Sequence, residues 1–390
     1  MLITNTKIYT MAGSVIQNGY IKTKGNKIET VGGMNDCPND SDIFDAKGLW
    51  AFPGFIDAHC HLGIWEDGLG FEGDDGNEDT DPVTPHLRAV DAINPIDECF
   101  YEALAAGVTT VVTGPGSANP IGGQIAAVKT KGNCIDNMII KEPMAIKMAL
   151  GENPKTVHHG KGQAPVTRMA TAAIIREQLS KAVRYMEELD EYERCLNLNL
   201  DDDSEKTKPE FDAKCEALIP LLKKEIPAHI HAHRADDIFT AIRICKEFSL
   251  NYTLIHCTQG YFIADSLFAE HATVLAGPLL CDRSKPELKG LTPKLPALLY
   301  KEGIISAIVT DHPVVPIQYL ALCAGLAVRE GLPWEEAIKA ITIYPAMICG
   351  IDTQVGSIEP SKDADIVFFD GDPLTISAKP MYVMINGEMS

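Results

Sequence analysis

The chain has 390 residues, 45% hydrophobic and 23% charged, which suits a large globular core with a smaller unit beside it. Its formal net charge of −20 argues against nucleic acid or an anionic membrane surface as partner, because either would require basic patches. Eleven cysteines, an odd number without CxxC spacing, point to reduced thiols and a cytoplasmic setting, and the N-terminus shows no secretory pattern.

Residues 1–50 alternate short apolar runs with turn residues, at 2–9, 19–25 and 27–32, and read as hairpin strands too few to enclose a core. Ala51-Phe-Pro-Gly-Phe-Ile-Asp-Ala-His-Cys-His61 follows, an apolar run ending in two histidines. Side chains two apart on a strand share a face, so His59 and His61 converge where Gly63 begins a loop. That is half of a metal site, since neutral imidazole is a common zinc ligand; a surface pair or two hydrogen-bonded rings would read the same from this stretch alone. Cys60 turns to the opposite face and reads as a small buried apolar residue. Residues 66–81 carry eight carboxylates and no basic residue, which predicts a mobile solvated flap without the EF-hand pattern of a Ca2+ loop.

Strand-like runs at 107–113, 144–150, 228–233, 252–257, 273–277 and 304–310 then alternate with helical patterns, among them 95–106, 171–189, 236–248 and 333–341. The alternation predicts an α/β fold with a parallel sheet, and residues 51–352 suit a (β/α)8 TIM-like barrel. A doubly wound open sheet is the alternative, but no GxGxxG stands where the first strand meets its helix. An insertion at about 171–226 is amphipathic and helical, with acidic runs at 187–191 and 201–205 that read as solvated surface. Strand–turn–strand texture returns at 365–372 and 381–387, so residues 1–50 and 353–390 are expected to pair into one small β-sandwich domain.

The remaining histidines gather at strand ends. His229, His231 and His233 share one face of a strand, His256 ends the next, and Asp311 ends a later one. In a parallel barrel those ends form one rim, where barrel active sites lie. A core histidine satisfied by one hydrogen bond is the plainer reading of any single position. So many at one type of location favour a dispersed catalytic metal site over a structural zinc, whose ligands come in short local pairs.

Phe52-Pro-Gly-Phe-Ile-Asp-Ala-His-Cys-His61 resembles the first barrel strand of the amidohydrolase superfamily. The resemblance runs in order through Ala106-Gly-Val-Thr-Thr-Val111, His231-Ala-His-Arg234, Ile255-His256, Thr310-Asp311, Ala340-Ile-Thr-Ile-Tyr-Pro-Ala346 and Val355-Gly-Ser-Ile-Glu-Pro-Ser-Lys-Asp-Ala-Asp-Ile-Val367. Within it the chain looks most like the imidazolonepropionase-related group, which includes prolidase-like dipeptidases. The resemblance implies one or two Zn2+ ions or other divalent metals. His59 and His61 would hold the more buried one, with His231 and His256 as further ligands and Asp311 as both ligand and general base. A carboxylated Lys147, in Ala145-Ile-Lys-Met-Ala-Leu-Gly151, would bridge, with Glu152 as the alternative bridging ligand. His233 and Arg283 are the candidate substrate-binding groups, and His229 reads as a deeper barrel residue held by a hydrogen bond. The implied reaction is hydrolysis of an amide or cyclic amide C–N bond in a small molecule by metal-held hydroxide, with a homo-oligomer expected. A prolidase-like dipeptidase, a deaminase, and a non-catalytic binding or assembly protein on the same scaffold are the alternatives; the last would be expected to have lost ligands.

Overall fold

The computed structural model describes residues 1–68, 70–197 and 207–390, so the acidic run at 201–205 lies outside the described residues. The chain opens with five strands, β1 (Leu2–Ile8), β2 (Ile16–Lys24), β3 (Lys27–Gly33), β4 (Ile43–Asp45) and β5 (Trp50–Pro53). Its far end returns to them as β14 (Ile366–Phe369), β15 (Tyr382–Ile385) and β16 (Glu388–Met389). Together they form one eight-stranded sheet in the order β16-β15-β14-β5-β1-β2-β3, with β4 beside β1. Ile3, Ile21, Ile28, Ile366 and Phe368 fill its core.

One residue separates this sheet from the barrel. β5 runs through Gly54 into β6 (Phe55–Cys60), and the side chain of Thr109 occupies the place a Cβ on residue 54 would take. The barrel continues with β7 (Val108–Thr113), β8 (Ile121–Lys129), β9 (Ile139–Ala149), β10 (Ala228–Ala232), β11 (Tyr252–His256), β12 (Thr273–Ala276) and β13 (Ser306–Ile308), each paired with the next. The seven strands expected from the sequence all run parallel to one another, and β8 fills the remaining place antiparallel to β7 and β9. The chain between β7 and β8 is Gly114-Pro-Gly-Ser-Ala-Asn-Pro120. A parallel crossover needs a dozen or more residues, so so short a link can only turn back as a hairpin. The ring closes through two backbone hydrogen bonds, Asp311 N–H to His59 O at 3.2 Å and His61 N–H to His312 O at 2.9 Å.

Helices α1 (Glu98–Ala105), α2 (Glu152–Gly160), α3 (Arg168–Asn197), α4 (Ala213–Leu222), α5 (Ala235–Glu247), α6 (Ala264–Ala269), α7 (Leu295–Lys301), α8 (Leu320–Arg329), α9 (Trp334–Lys339) and α10 (Ile343–Ile348) complete the middle of the chain. Ile146, Met148, Ile230, Leu254 and Val274 of the strands pack with Ile175, Leu179, Ile238 and Leu299 of the helices. Each such side chain contributes about 1.5–3 kcal/mol by leaving water. Lys147, His229 and His231 alternate with these residues and so turn to the opposite face of their strands. The helical insertion is real, α3 and α4 packed together. Described residues of the acidic loop bond to the rest of the chain. Asn94 donates to Glu66 at 2.6 Å, Lys161 and Lys214 pair with Asp79 and Asp81, and Ala118 N–H donates to Asn77 at 3.0 Å.

Lys129, at the end of β8, makes ion pairs with Asp363 at 2.9 Å and with Asp365, all three buried where the barrel meets the terminal sheet. None of the eleven cysteines is in a disulfide. Among the described residues no helix is long and apolar enough to cross a membrane.

Candidate active site

β6 delivers His59 and His61 to the barrel mouth, both buried. Asp311, three residues past β13, sits at φ 57°, and His256, the last residue of β11, at φ 69°. The left-handed region costs a non-glycine residue about 1–3 kcal/mol and persists only where the surroundings over-determine it. Asp57 provides much of that constraint around Asp311. Its carboxylate accepts from His59 N at 3.2 Å, from Thr310 N at 3.1 Å and from the Thr310 hydroxyl, tying β6 to the turn that carries Asp311.

Asp311 Oδ1 lies 3.2 Å from His59 Nε2 and 3.4 Å from His61 Nε2. Lys147 Nζ lies 3.3 Å from His59 Nε2, fully buried. Beside this group stand His231, His233 and His256, whose rings are 4.5–4.6 Å apart between centroids. Ligand atoms of His231, His233 and His256 form one compact set, and those of His59, His256 and Asp311 another, each within 4.8 Å.

The electrostatics suit cation binding. Burial pushes the imidazoles of His59, His231 and His233 well below their ordinary range and that of His256 down to about 4, so these rings are neutral. Burial would raise the Asp311 carboxyl, but His256, His59 and His61 outweigh it and hold Asp311 well below the usual carboxylate range. Burial brings Lys147 down to about 8, against the pull of Asp311. Its neutral amine is therefore within reach, and a neutral amine is the form that can take up CO2. Two rings have their outer nitrogen committed to a backbone oxygen: His61 Nδ1–H donates to Gly114 O at 2.7 Å and His256 Nδ1–H to Gly277 O at 2.8 Å. Neutral nitrogens, one carboxylate and one convertible lysine, fixed by outer partners, are a donor set that fits a divalent metal.

A cavity of about 730 Å3 opens over these groups, lined among others by His61, Trp65, Asn77, Glu152, Lys285 and Asp311. The structure thus brings together His59, His61, Lys147, His231, His233, His256 and Asp311. Glu152 heads α2 on the cavity wall and is turned to Glu287, each backbone N–H donating to the other's carboxylate at 2.9 and 3.3 Å. Arg283 is exposed and donates to Leu291 O at 2.6 Å, away from the cavity lining; Lys285 reaches the lining in its place. His229 is buried with no protein partner for either ring nitrogen, so the expected hydrogen bond is absent among the described residues. Sequence reasoning passed over Asp57, although it shares the face of His59 two residues earlier. It also passed over Glu287, and nothing in Lys285-Pro-Glu-Leu288 marks that glutamate as fully buried.

An eight-stranded barrel that gathers imidazoles, a lysine and an aspartate at its mouth places them where barrel active sites lie. The model of the Amidohydrolase family matches residues 50–389, and the chain belongs to that family. It is 30% identical over 392 residues to the amidohydrolase tasK of Hapsidospora irregularis, an alignment covering 96% of this chain and 39% of that protein. It is 23% identical to the imidazolonepropionase of Maricaulis maris (strain MCS10), covering 95% of this chain and 92% of that one. The crystal structure of an amidohydrolase from Thermotoga maritima MSB8 superposes with a TM-score of 0.93 at 41% identity, covering 100% of this chain and 98% of that chain.

Proposed function

We propose that the protein is a metal-dependent hydrolase of an amide or cyclic amide C–N bond in a small molecule. The observation that carries the reading is the buried Asp311 carboxylate within 3.4 Å of two histidine Nε2 atoms at the floor of an open cavity. His59, His61, Lys147, His231, His256 and Asp311 would hold one or two divalent cations, Zn2+ being suited to nitrogen-rich donors. A bound divalent cation lowers the pKa of water and polarises a carbonyl. Asp311, ionised and fixed by its backbone, accepts the proton of the attacking water and returns it to the leaving nitrogen. Lys147, as a carbamate, would bring a second anion to the floor, a role its position beside His59 favours over Glu152. His233 and Lys285 face the cavity and would orient the substrate. Trp65, its ring 4.4 Å from that of His61, lines the cavity beside the floor. Eleven unpaired thiols suit a reducing, cytoplasmic setting.

The test is turnover by metal-reconstituted protein across N-acyl amino acids, dipeptides, hydantoin-like rings and imidazolones, with amine release as readout. Protein that holds no divalent metal and gains no turnover on adding Zn2+ would sink the reading. Asp311→Asn is expected to lower kcat at least about 100-fold through loss of the base while most metal stays bound. Full activity in that variant would remove Asp311 from proton transfer. Intact mass or electron density showing an unmodified Lys147 would return the bridge to Glu152.

A further inference from the structure

Trp65 is the one carbocyclic aromatic side chain on the cavity lining among the described residues, and the chain holds its ring in place. Past the end of β6 its backbone N–H donates to His61 O at 3.3 Å, so the wall is tied directly to the floor. The acidic loop is its mount. Residues 64–66 and 73–75 pair as two short antiparallel runs, Glu66 N–H donating to Gly73 O at 2.8 Å and Asp75 N–H to Ile64 O at 3.0 Å. Within that pairing the indole Nε1–H donates to the Asp74 carboxylate.

Two glycines leave room for the ring. A Cβ on Gly76 would stand 2.1–2.4 Å from three indole atoms, and one on Gly116 2.9 Å from a fourth. Neither residue has a positive φ, so it is the indole and not the backbone that excludes a side chain there. Gly116 N–H donates to Gly76 O at 2.7 Å, which bonds the two backbones that lie against the indole to each other. Gly116 belongs to the link from β7 to β8, whose Gly114 O and Ser117 Oγ are also the partners of His61 Nδ1 and His231 Nδ1. The indole also packs on the His61 imidazole, with 4.4 Å between centroids and 69° between planes. Carboxylate, glycines and histidine thus fix the plane of the ring.

A flat π face held rigid rewards a flat ligand. Stacking on it gains dispersion and quadrupole attraction without ordering rotatable bonds, several of which an acyclic amide would have to freeze. The other apolar side chains of the lining, among them Val157, Pro278, Leu288 and Val314, offer no second face of this kind. A ring parallel to the indole is inclined by the same 69° to the His61 imidazole. In a cyclic amide the carbonyl and the nitrogen both lie on the ring's edge.

We propose that Trp65 is the specificity-determining residue of this cavity and selects a planar ring amide, stacked on the indole with its scissile edge toward His61 and Asp311. The proposal rests on the hydrolase reading above and names its substrate class. Asp74, Gly76 and Gly116 are positioning residues that act through the indole, and the carboxylate-rich loop serves as the scaffold of an aromatic wall.

The test mixes full-length, Zn2+-loaded protein with hydantoin, a flat ring, or with N-acetylglycinamide, an acyclic neutral amide. Indole emission is followed before turnover, and Kd is measured for both. Trp50 and Trp334 pack against Tyr9, off this lining, so a change in emission on binding reports Trp65. Hydantoin is expected to quench the emission and to bind about 10-fold tighter than the acyclic amide. Trp65→Leu should remove the quench and most of that ratio, and Trp65→Phe, which keeps a flat ring, should restore much of the ratio. Gly76→Ala, which displaces the indole, and Asp74→Ala should each lower the ratio, whereas Asp74→Asn, which keeps an acceptor for Nε1–H, should stay close to wild type. Thermal melts and metal content of each variant separate misfolding from loss of the wall. Hydantoin that leaves the emission unchanged, or a ratio that is the same in wild type and Trp65→Leu, would overturn the proposal; cleavage of acyclic amides by the same protein would leave the hydrolase reading standing. Hydantoin that quenches and loses its preference in Trp65→Leu upholds the wall, and a failure to cleave any amide would then count against the hydrolase reading alone.

Discussion

Asp57 and His229 are both buried polar side chains on the site's strands, and they differ in how they are satisfied. Asp57 takes three donors and through them positions Asp311, although burial pushes its carboxyl up to about 7. His229 takes none, and burial, with Lys147 and Lys141 nearby, brings it down to about 3. Between the ordinary histidine value of about 6.5 and about 3, the unfolded chain binds a proton there that the folded chain refuses, so stability falls as pH drops through that window. His229→Leu should therefore stabilise the protein by about 1 kcal/mol at neutral pH, by relieving an unpaired polar group, and by more at pH about 5. Denaturant titration at both pH values checks this; a less stable variant at both would mean that buried water satisfies the ring. The histidines of the barrel mouth were legible because each ends an apolar run. Glu287 was not, because a loop glutamate reads as solvated until the fold closes over it, and a loop sequence does not tell which way a long cationic side chain such as Arg283 points.

Elements were legible where the hydrophobic period was long and unbroken. The seven parallel strands and α1, α3, α5 and α9 fall within a few residues of their expected places, α3 running longer at both ends. β8 was missed because Ile121-Gly-Gly-Gln opens on two glycines, a turn signal, and an antiparallel strand breaks the strand–helix alternation from which the barrel was read. α4 depends on a local device. Asp212 caps it, accepting from Lys214 N at 2.9 Å and Cys215 N at 3.0 Å, and a hydrogen bond from Lys181 holds its carboxyl at about 2. Asp212→Ala should cost about 1 kcal/mol at neutral pH. The lowered pKa means that the benefit is fully present above about 3.8 and fades as pH falls through about 2, so wild type and variant should converge there. Circular dichroism melts across that range would show it, and a gap that persisted in acid would point to packing rather than capping.

The whole molecule is held as one by its two sheets. Lys129 reaches from the barrel to Asp363 and Asp365 of the returning chain, and Lys27 of the terminal sheet meets Asp363 at 2.6 Å. Breaking a buried cluster by removing its cation leaves charge without compensation, a loss of about 3–5 kcal/mol. Lys129→Met should lower the melting temperature far more than Lys131→Met, whose pair with Glu388 at 3.3 Å is largely exposed. Equal shifts would show that the cluster is wet. The joint at Gly54 carries a further consequence for synthesis. β5 lies between β1 and β14, and β14 comes from the end of the chain. The strand that bears His59 and His61 is made well before β14, so its foundation lacks one neighbour until Ile366–Phe369 has followed it. A nascent chain halted before Ile366 should accordingly be open to protease at residues 50–61, and one halted after Phe369 protected there.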